Sequence, residues 1–198
     1  MKRTIEILSP AEMNQLANHA GSGKTGARNR AMIAFISTTA LRVREVCGIK
    51  PSNLDLEKCT VTVPAECAKL HKPRTVAFDP SLRPMLSDWL TIRRGLGLTN
   101  SQPLFPAVST RGLGNPLVPR QVHRMLADTA KRAGIEKRIH PHGFRHSAAC
   151  YWLENGVDLR VIQKQLGHSS IAVTARYLDH LSDKAQRDAI AAIPSMGF

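Results

Sequence analysis

The chain has 198 residues, with 28 Lys or Arg against 15 Asp or Glu, so its formal net charge is +13 with neutral histidines. This length suits one domain with a real core and is too short for two full domains. The basic balance favours a nucleic-acid partner, with a merely solvated basic surface as the alternative. The apolar runs are too short to span a bilayer and no signal peptide is evident, so we expect a cytoplasmic protein without membrane contact.

Helical signals open the chain. Ser9-Pro10-Ala11-Glu12 is typical of a capping box with proline in the first turn, and it predicts a helix through about His19. The glycines of residues 21–26 predict a flexible break. Apolar spacing over residues 27–49 then predicts a buried helix, a turn and a second helix that carries Arg42 and Glu45.

Two alternating segments, residues 59–63 and 75–78, predict the strands of a β-hairpin whose tip, residues 69–74, is basic. Further helices are predicted over residues 82–94 and 120–133. In the last third, one helix ends near Gly156, Asp158 caps a short helix that ends at Gly167, and Ser169 or Ser170 opens a helix holding Tyr177. The predicted class is α+β, mainly α, with a small antiparallel sheet.

The chemistry is concentrated between residues 140 and 180, which contain His142, Arg145, His168 and Tyr177. His142 and Arg145 are three apart, so they share one face of a helix. A cation beside an imidazole suits a phosphate oxygen beside a proton in transfer. Tyr177 can then attack phosphorus, because surrounding cations stabilise the charge that develops.

Five elements occur in a fixed order, and together they resemble the catalytic domain of the tyrosine recombinases, the phage integrase family. They are Arg42-x-x-Glu45, Lys69 in the hairpin, His142-x-x-Arg145, Leu166-Gly167-His168-Ser169 and Tyr177. The resemblance covers residues 8–181 as a single catalytic domain. Only about 25 residues precede the helix at Ala27, so we expect the family's N-terminal core-binding domain to be absent. The chain then resembles the small fimbrial-switch invertases, although a truncated gene would have the same length.

The resemblance implies site-specific cleavage and rejoining of duplex DNA through a 3′-phosphotyrosine, without metal or other cofactor. It implies that Arg42 and Arg145 bind the scissile phosphate, that His168 donates a hydrogen bond to it, and that Glu45 orients these groups. His142 would accept the proton of Tyr177, and Lys69 would protonate the leaving 5′ oxygen. Lys72 is the alternative to Lys69, which we favour. DNA contacts are expected from Lys72, Arg74 and Arg176.

The family resemblance also implies a double-stranded DNA partner and four protomers on two sites, with a monomer when free and with accessory DNA-bending proteins. Integration, excision, inversion and resolution all stay open. Two other functions are considered. One is strand relaxation by a type IB topoisomerase. The other is a non-catalytic DNA-binding regulator, in which the helices around Gly156 form a helix-turn-helix.

A zinc site is the main alternative use of the histidines. His142 and His146 are four apart, with His140 nearby, but the zinc-protease pattern needs Glu where Gly143 stands. The cysteines show no C-x-x-C pair and are expected to be reduced thiols; they are Cys47, Cys59, Cys67 and Cys150. We therefore expect no metal.

Two features depart from, or extend, the family pattern. Ala40 and Arg44 stand where the family usually has a glycine and a small polar residue. After the nucleophile, residues 182–198 form a C-terminal tail in which Ala185, Ala189, Ala192 and Ile193 lie on one apolar stripe of a short helix. This tail is expected to dock either on its own domain or on a neighbouring protomer.

Overall fold

The computed structural model describes residues 6–69 and 71–178, together with Ser182, Arg187, Asp188, Ala191 and Ala192. Within them the fold is mainly helical with one small antiparallel sheet, which confirms the predicted class. The elements are α1 (Pro10–Asn18), α2 (Gly23–Thr39), α3 (Val43–Gly48), β1 (Leu54–Asp55), β2 (Thr60–Val63), β3 (Arg74–Ala77), α4 (Arg83–Gly95), α5 (Pro119–Arg132), α6 (Pro141–Glu154), α7 (Leu159–Leu166) and α8 (Ile171–Ala175), with short 3-10 turns at Pro51–Asn53 and Pro80–Leu82.

Side-chain caps fix the ends of α1 and α7 as the sequence predicts. The Ser9 hydroxyl accepts the Glu12 N–H at 3.2 Å, and the Glu12 carboxylate accepts the Ser9 N–H at 2.8 Å, which completes the capping box. Asp158 accepts the Arg160 N–H at 2.8 Å where α7 begins. Gly167 ends α7 in the left-handed conformation, with φ 63°.

The start of α2 differs from the prediction. The helix begins at Gly23, so the glycines of residues 21–26 form only a short break and then enter the helix. A Cβ at Gly26 would collide with the carbonyl of Gly21. Only glycine at position 26 therefore lets the backbone of residue 21 lie against the first turn of α2. The glycines therefore permit a close backbone approach, and the predicted flexible break is limited to the residues before Gly23.

The predicted hairpin is confirmed, and a third strand extends it. The sheet order is β1-β2-β3, and β2 pairs antiparallel with β3 so that Val61 lies opposite Val76. Strand β1 was not predicted, because its two residues are too few to show an alternating pattern. The outer edge of β3, which no other strand of this sheet covers, contacts α7 through Gln165.

Two clusters of buried apolar side chains divide the fold. The main cluster spans residues 8–144 and includes the largest buried side chains, such as Phe35, Trp89 and Phe105. The minor cluster consists of Ala40, Ala148, Ala149, Cys150, Ile162, Leu166 and Tyr177. Residues of α6 and α7 therefore share a small core with Ala40 and Tyr177, beside the larger one.

The cysteines of the described residues are free thiols, and those at positions 47, 59 and 150 are buried. Residues 6–69 and 71–178 contain no group of three His, Cys, Asp or Glu side chains that would hold a metal ion. No helix among the described residues has the length and apolar character needed to span a bilayer.

The predicted tail helix lies mostly outside the described residues. Ala185, Ala189 and Ile193, which carry most of its apolar stripe, are among those not described. Of the remainder, the N–H of Ala192 donates to the carbonyl of Asp188 at 3.1 Å. The docking of the tail stays a prediction.

Candidate active site

A buried carboxylate, Glu45, holds two arginines from different elements. Glu45 is 1% exposed and accepts the backbone N–H of Arg42 at 2.9 Å and its Nη1 at 3.2 Å. Arg74, on β3, donates both of its Nη groups to the same carboxylate at 2.9 Å each. Burial alone would raise the pKa of Glu45, but the hydrogen bonds from Arg74 and Arg42 outweigh burial and lower it. Glu45 is therefore a carboxylate that orients Arg42, although Arg42 is the N-cap of α3 and not within the helix as predicted.

Arg145 is built into the boundary between α2 and α7. It is 4% exposed, and its guanidinium donates to the carbonyl of Ala40 at 2.8 Å and to that of Leu166. Burial, followed by repulsion from Arg42, lowers the pKa of Arg145 to about 10, so the group stays cationic at neutral pH. Arg42 itself reaches the Gly167 carbonyl at 3.4 Å. Both arginines thus converge on the C-terminal turn of α7.

The residue Ala40 ends α2 in the left-handed conformation, with φ 51°. This is the position where the family usually has glycine, and an L side chain there carries a steric cost. Its methyl group is fully buried in the minor cluster, and its carbonyl receives Arg145. The departure noted in the sequence therefore lies directly behind a site arginine.

His168 follows the glycine that ends α7 and is neutral at physiological pH. Burial, with the charges of Arg145 and Arg42, lowers the pKa of His168 to about 4. Its Nδ1 is 2.8 Å from the Thr174 hydroxyl, and its carbonyl accepts the Gln163 amide at 3.2 Å. Thr174 of α8 therefore holds one ring nitrogen of His168.

Tyr177 lies two residues beyond the end of α8, not inside that helix as predicted. It is 6% exposed and belongs to the minor cluster. Its ring centroid is 5.1 Å from that of His146 and 6.4 Å from that of His168, which it stacks on. Burial raises the pKa of Tyr177, and the nearby charge of Arg145 only partly offsets this. The phenol therefore needs a proton acceptor and added positive charge before it can act as a nucleophile.

His142 lies in the first turn of α6 and remains exposed to solvent. Its ring stacks on that of His140 with centroids 6.4 Å apart. Desolvation by its neighbours and the charge of Arg145 lower the pKa of His142, which favours the neutral form that accepts a proton. Arg145 points inward from the same helix, so the predicted pair is split between surface and interior.

The hairpin lysines face the same recess as the arginines. A cavity of about 170 Å³ is lined by Arg42, Lys69, Lys72, Arg74, Gly167 and His168, among others. Both lysines are exposed, so the geometry does not separate Lys69 from Lys72. Arg176 is also exposed, with Nε 3.5 Å from the Val173 carbonyl. Arg74, expected at DNA, instead directs its guanidinium to Glu45.

Sequence reasoning missed three residues that shape this site. His146 was considered only as a zinc ligand, and Thr174 and Gln165 were not considered at all. Thr174 contacts His168, and Gln165 contacts the backbone of Ala77 in β3, 88 residues away. The only available signal was the helical spacing of His146 from His142. The other contacts are visible only once the chain is folded.

Comparison with known proteins decides the family. The sequence pattern of the phage integrase family matches residues 6–184. The chain belongs to the phage integrase family. Among similar sequences, the tyrosine recombinase XerC of Bacillus licheniformis is 34% identical over 177 residues, which cover 89% of this chain and 57% of that protein. XerC of Corynebacterium glutamicum is 36% identical over 157 residues, 79% of this chain and 48% of that protein. The chain thus spans about half to three fifths of the length of these relatives.

Solved structures of the family have the same fold. The crystal structure of XerA recombinase matches with a TM-score of 0.78 at 31% identity, covering 96% of this chain and 66% of that one. XerH recombinase, solved in a post-cleavage complex with a palindromic difH substrate, matches with a TM-score of 0.75 at 26% identity, covering 96% and 54%. These matches confirm the predicted family and fold of this integrase-family domain.

Proposed function

We propose that the chain is a site-specific DNA recombinase that cleaves and rejoins duplex DNA through a tyrosine-linked intermediate. The observation that carries this proposal is the convergence of Arg42, Arg145 and His168 beside Tyr177, with Lys69 facing the same recess. Membership of the phage integrase family and the similarity to XerC recombinases support it. The net charge of +13 suits a polyanionic partner.

In the proposed reaction, the Tyr177 oxygen forms a bond to the scissile phosphorus while the bond from phosphorus to the 5′ oxygen breaks. The phenolic proton passes to His142, and Lys69 gives a proton to the departing 5′ oxygen. Arg42 and Arg145 stabilise the negative oxygens of the transition state, because planar guanidinium groups match two acceptors at once. Rejoining reverses these transfers with a 5′ hydroxyl as nucleophile.

Tyr177 must leave the minor cluster for this reaction, since it is 6% exposed in the described state. We propose that DNA binding supplies the free energy for this movement, with Lys72 and Arg176 contacting phosphates and Arg74 acting through Glu45. The working assembly is proposed to be four protomers on two DNA sites, monomeric when free and aided by DNA-bending proteins. Binding of phosphates by lysine and arginine makes such an assembly sensitive to salt.

The decisive experiment is adduct formation on a nicked duplex that carries a site selected by the wild-type chain from random DNA. Tyr177→Phe should abolish the covalent adduct while DNA binding stays nearly intact, because only the phenolic oxygen is lost. Tyr151→Phe is the matched control, since Tyr151 is the chain's other tyrosine and is exposed. An adduct that persists in Tyr177→Phe would disprove the assignment of the nucleophile.

The same assay separates the alternatives. A DNA-binding regulator would give no adduct in any variant. A type IB topoisomerase would give the adduct and relax supercoils as a monomer without pairing two sites, whereas a recombinase should form complexes containing both sites.

A substrate with sulfur in place of the bridging 5′ oxygen tests which lysine is the acid. Its leaving group needs no proton, so this substrate should rescue Lys69→Ala. Rescue of Lys72→Ala instead would move the acid to Lys72.

A further inference from the structure

The side chain of Gln165, on α7, forms a two-way hydrogen-bond pair with the backbone of β3. Its Nε2 donates to the carbonyl of Ala77 at 2.6 Å, and its Oε1 accepts the N–H of Ala77 at 3.1 Å. One carboxamide thus satisfies both backbone groups of a single strand residue. These are the bonds that a neighbouring strand would supply.

The direction of these bonds shows that Gln165 occupies the free edge of the sheet. β3 is an edge strand, paired only with β2 in the order β1-β2-β3. The N–H of Phe78 points toward β2, because it donates to the Cys59 carbonyl at 2.9 Å. Backbone groups of successive strand residues alternate in direction, so those of Ala77 point away from β2. Gln165 therefore joins α7 to the outer edge of β3.

A second contact joins the N-terminal end of β3 to the C-terminal end of α7. Arg74 begins β3 and lies against Gly167, where a Cβ would come within 2.6 Å of the Arg74 Nε. Arg74 is also fixed by its two hydrogen bonds to Glu45. Strand β3, which follows Lys69, is thus fixed to α7 at both ends, while Lys69 and Lys72 are exposed.

We propose that Gln165 is a positioning residue for the lysine that protonates the leaving group, an inference that rests on the proposed function. Gln165 fixes β3 against α7, and α7 ends at Gly167 and His168, which line the cavity with Lys69. Loss of the Gln165 pair frees the Ala77 end of β3 from α7. The strand can then shift against α7, and the hairpin turn shifts with it relative to the scissile phosphate. Misplacement of a catalytic group by about 1 Å can cost roughly a hundredfold in rate.

The test measures single-turnover cleavage by the full chain on the selected nicked site, with either oxygen or sulfur at the bridging 5′ position. Gln165→Leu should cleave the oxygen substrate about tenfold to a hundredfold more slowly than wild type. On the sulfur substrate it should match wild type within about threefold, because that leaving group needs no proton. Lys69→Ala provides the reference, because it should be slow on the oxygen substrate and rescued on the sulfur substrate.

Gln15→Leu is the matched control. Gln15 also donates its amide to a backbone carbonyl, that of Ala133 at 2.7 Å, but it joins α1 to the end of α5, away from the site. This variant should behave like wild type on both substrates. Equal loss on the oxygen and sulfur substrates for Gln165→Leu, or no loss on either, would overturn the positioning role.

Amide hydrogen exchange tests the contact without DNA. Gln165→Leu should speed exchange at Ala77 by at least about tenfold, whereas Phe78, which is bonded to Cys59 within the sheet, should stay protected. Gln165→Glu keeps an acceptor for the Ala77 N–H, so it is the second variant if Gln165→Leu does not fold. Unchanged exchange at Ala77 would refute the inference. Failure of the wild-type chain to form any adduct would instead refute the proposed function.

Discussion

The main and minor clusters differ in size and in what they contain. The main cluster buries aromatic residues from several helices and the sheet, including Phe35, whose ring lies 5.5 Å from that of Phe105. The minor cluster has seven residues, three of which are alanines, and it includes Tyr177, the proposed nucleophile. Small side chains bury little area, so the minor cluster is held with less free energy. The proposed nucleophile therefore belongs to the part of the fold that can open without unfolding the rest.

The two arginines proposed to bind the phosphate, Arg42 and Arg145, lie where the two clusters meet. Arg145 donates to Ala40 and Leu166, both members of the minor cluster, while Glu45 aligns Arg42 from α3. These groups are preorganised by protein contacts before any ligand binds, as transition-state stabilisation requires. The arginines are thus held by protein contacts, whereas the proposed nucleophile, Tyr177, lies in the minor cluster.

The largest expected effect comes from the main cluster. Phe35→Ala should lower the free energy of unfolding by about 3–5 kcal/mol, because it removes a fully buried ring and leaves a cavity. Urea denaturation measures this change. Ile162→Val in the minor cluster should cost only about 0.5–1.5 kcal/mol and should speed amide exchange only in residues 159–178. Equal acceleration in α2 would show that the two clusters unfold together.

The second largest expected effect comes from removing the Arg145 side chain. Arg145→Ala should slow DNA cleavage by at least about a hundredfold, the usual cost of removing one preorganised donor. It also leaves the buried carbonyls of Ala40 and Leu166 without this donor, so the unfolding free energy should fall as well. Arg94→Ala, at an exposed arginine of α4, should change neither quantity. A loss of cleavage rate under threefold would make Arg145 purely structural.

Acidification should weaken the minor cluster before the main one. Burial and nearby arginines lower the pKa of His168 from 6.5 to about 4, so the unfolded chain binds this proton more readily than the folded chain. The free energy of unfolding should then fall as pH is lowered from about 6.5 toward about 4. Thermal unfolding at several pH values measures how the free energy of unfolding depends on pH, and His168→Asn should weaken that dependence. An unchanged dependence in that variant would assign the effect to other groups.

The smallest effect is expected at Ala40. Ala40→Gly relieves the left-handed strain of about 1–2 kcal/mol, but it removes a buried methyl group and gives the unfolded chain more freedom. These contributions nearly cancel, so stability should change by less than about 1 kcal/mol. Ala149→Gly, equally buried but inside α6, has no strain to relieve and should be clearly destabilising. Equal losses in the two variants would show that Ala40 is not strained.

Local chemistry explains what the sequence could predict. Ser9, Asp158 and Gly167 mark helix ends through bonds to residues a few positions away, so these ends were predicted correctly. The order of charged and aromatic residues also identified the family, which the comparisons confirm. The assignment of individual catalytic roles stays a prediction.

Contacts across long sequence separations explain the rest. The sequence indicated that Arg74 is basic, but its pairing with Glu45 depends on how β3 packs against α3, 29 residues away along the chain. The same holds for Gln165 with Ala77, and for His146 of α6 with Tyr177, which follows α8. No spacing rule connects such pairs, because the rules describe neighbours on one element.

The edge of β3 also bears on solubility. An uncovered edge strand presents unpaired backbone groups on which another chain can add a strand, and this is a common route to aggregation. Here Gln165 occupies both outward-facing groups of Ala77, and the strand is only four residues long. At the other edge, β1 has two residues. The sheet therefore offers little template for strand pairing between molecules.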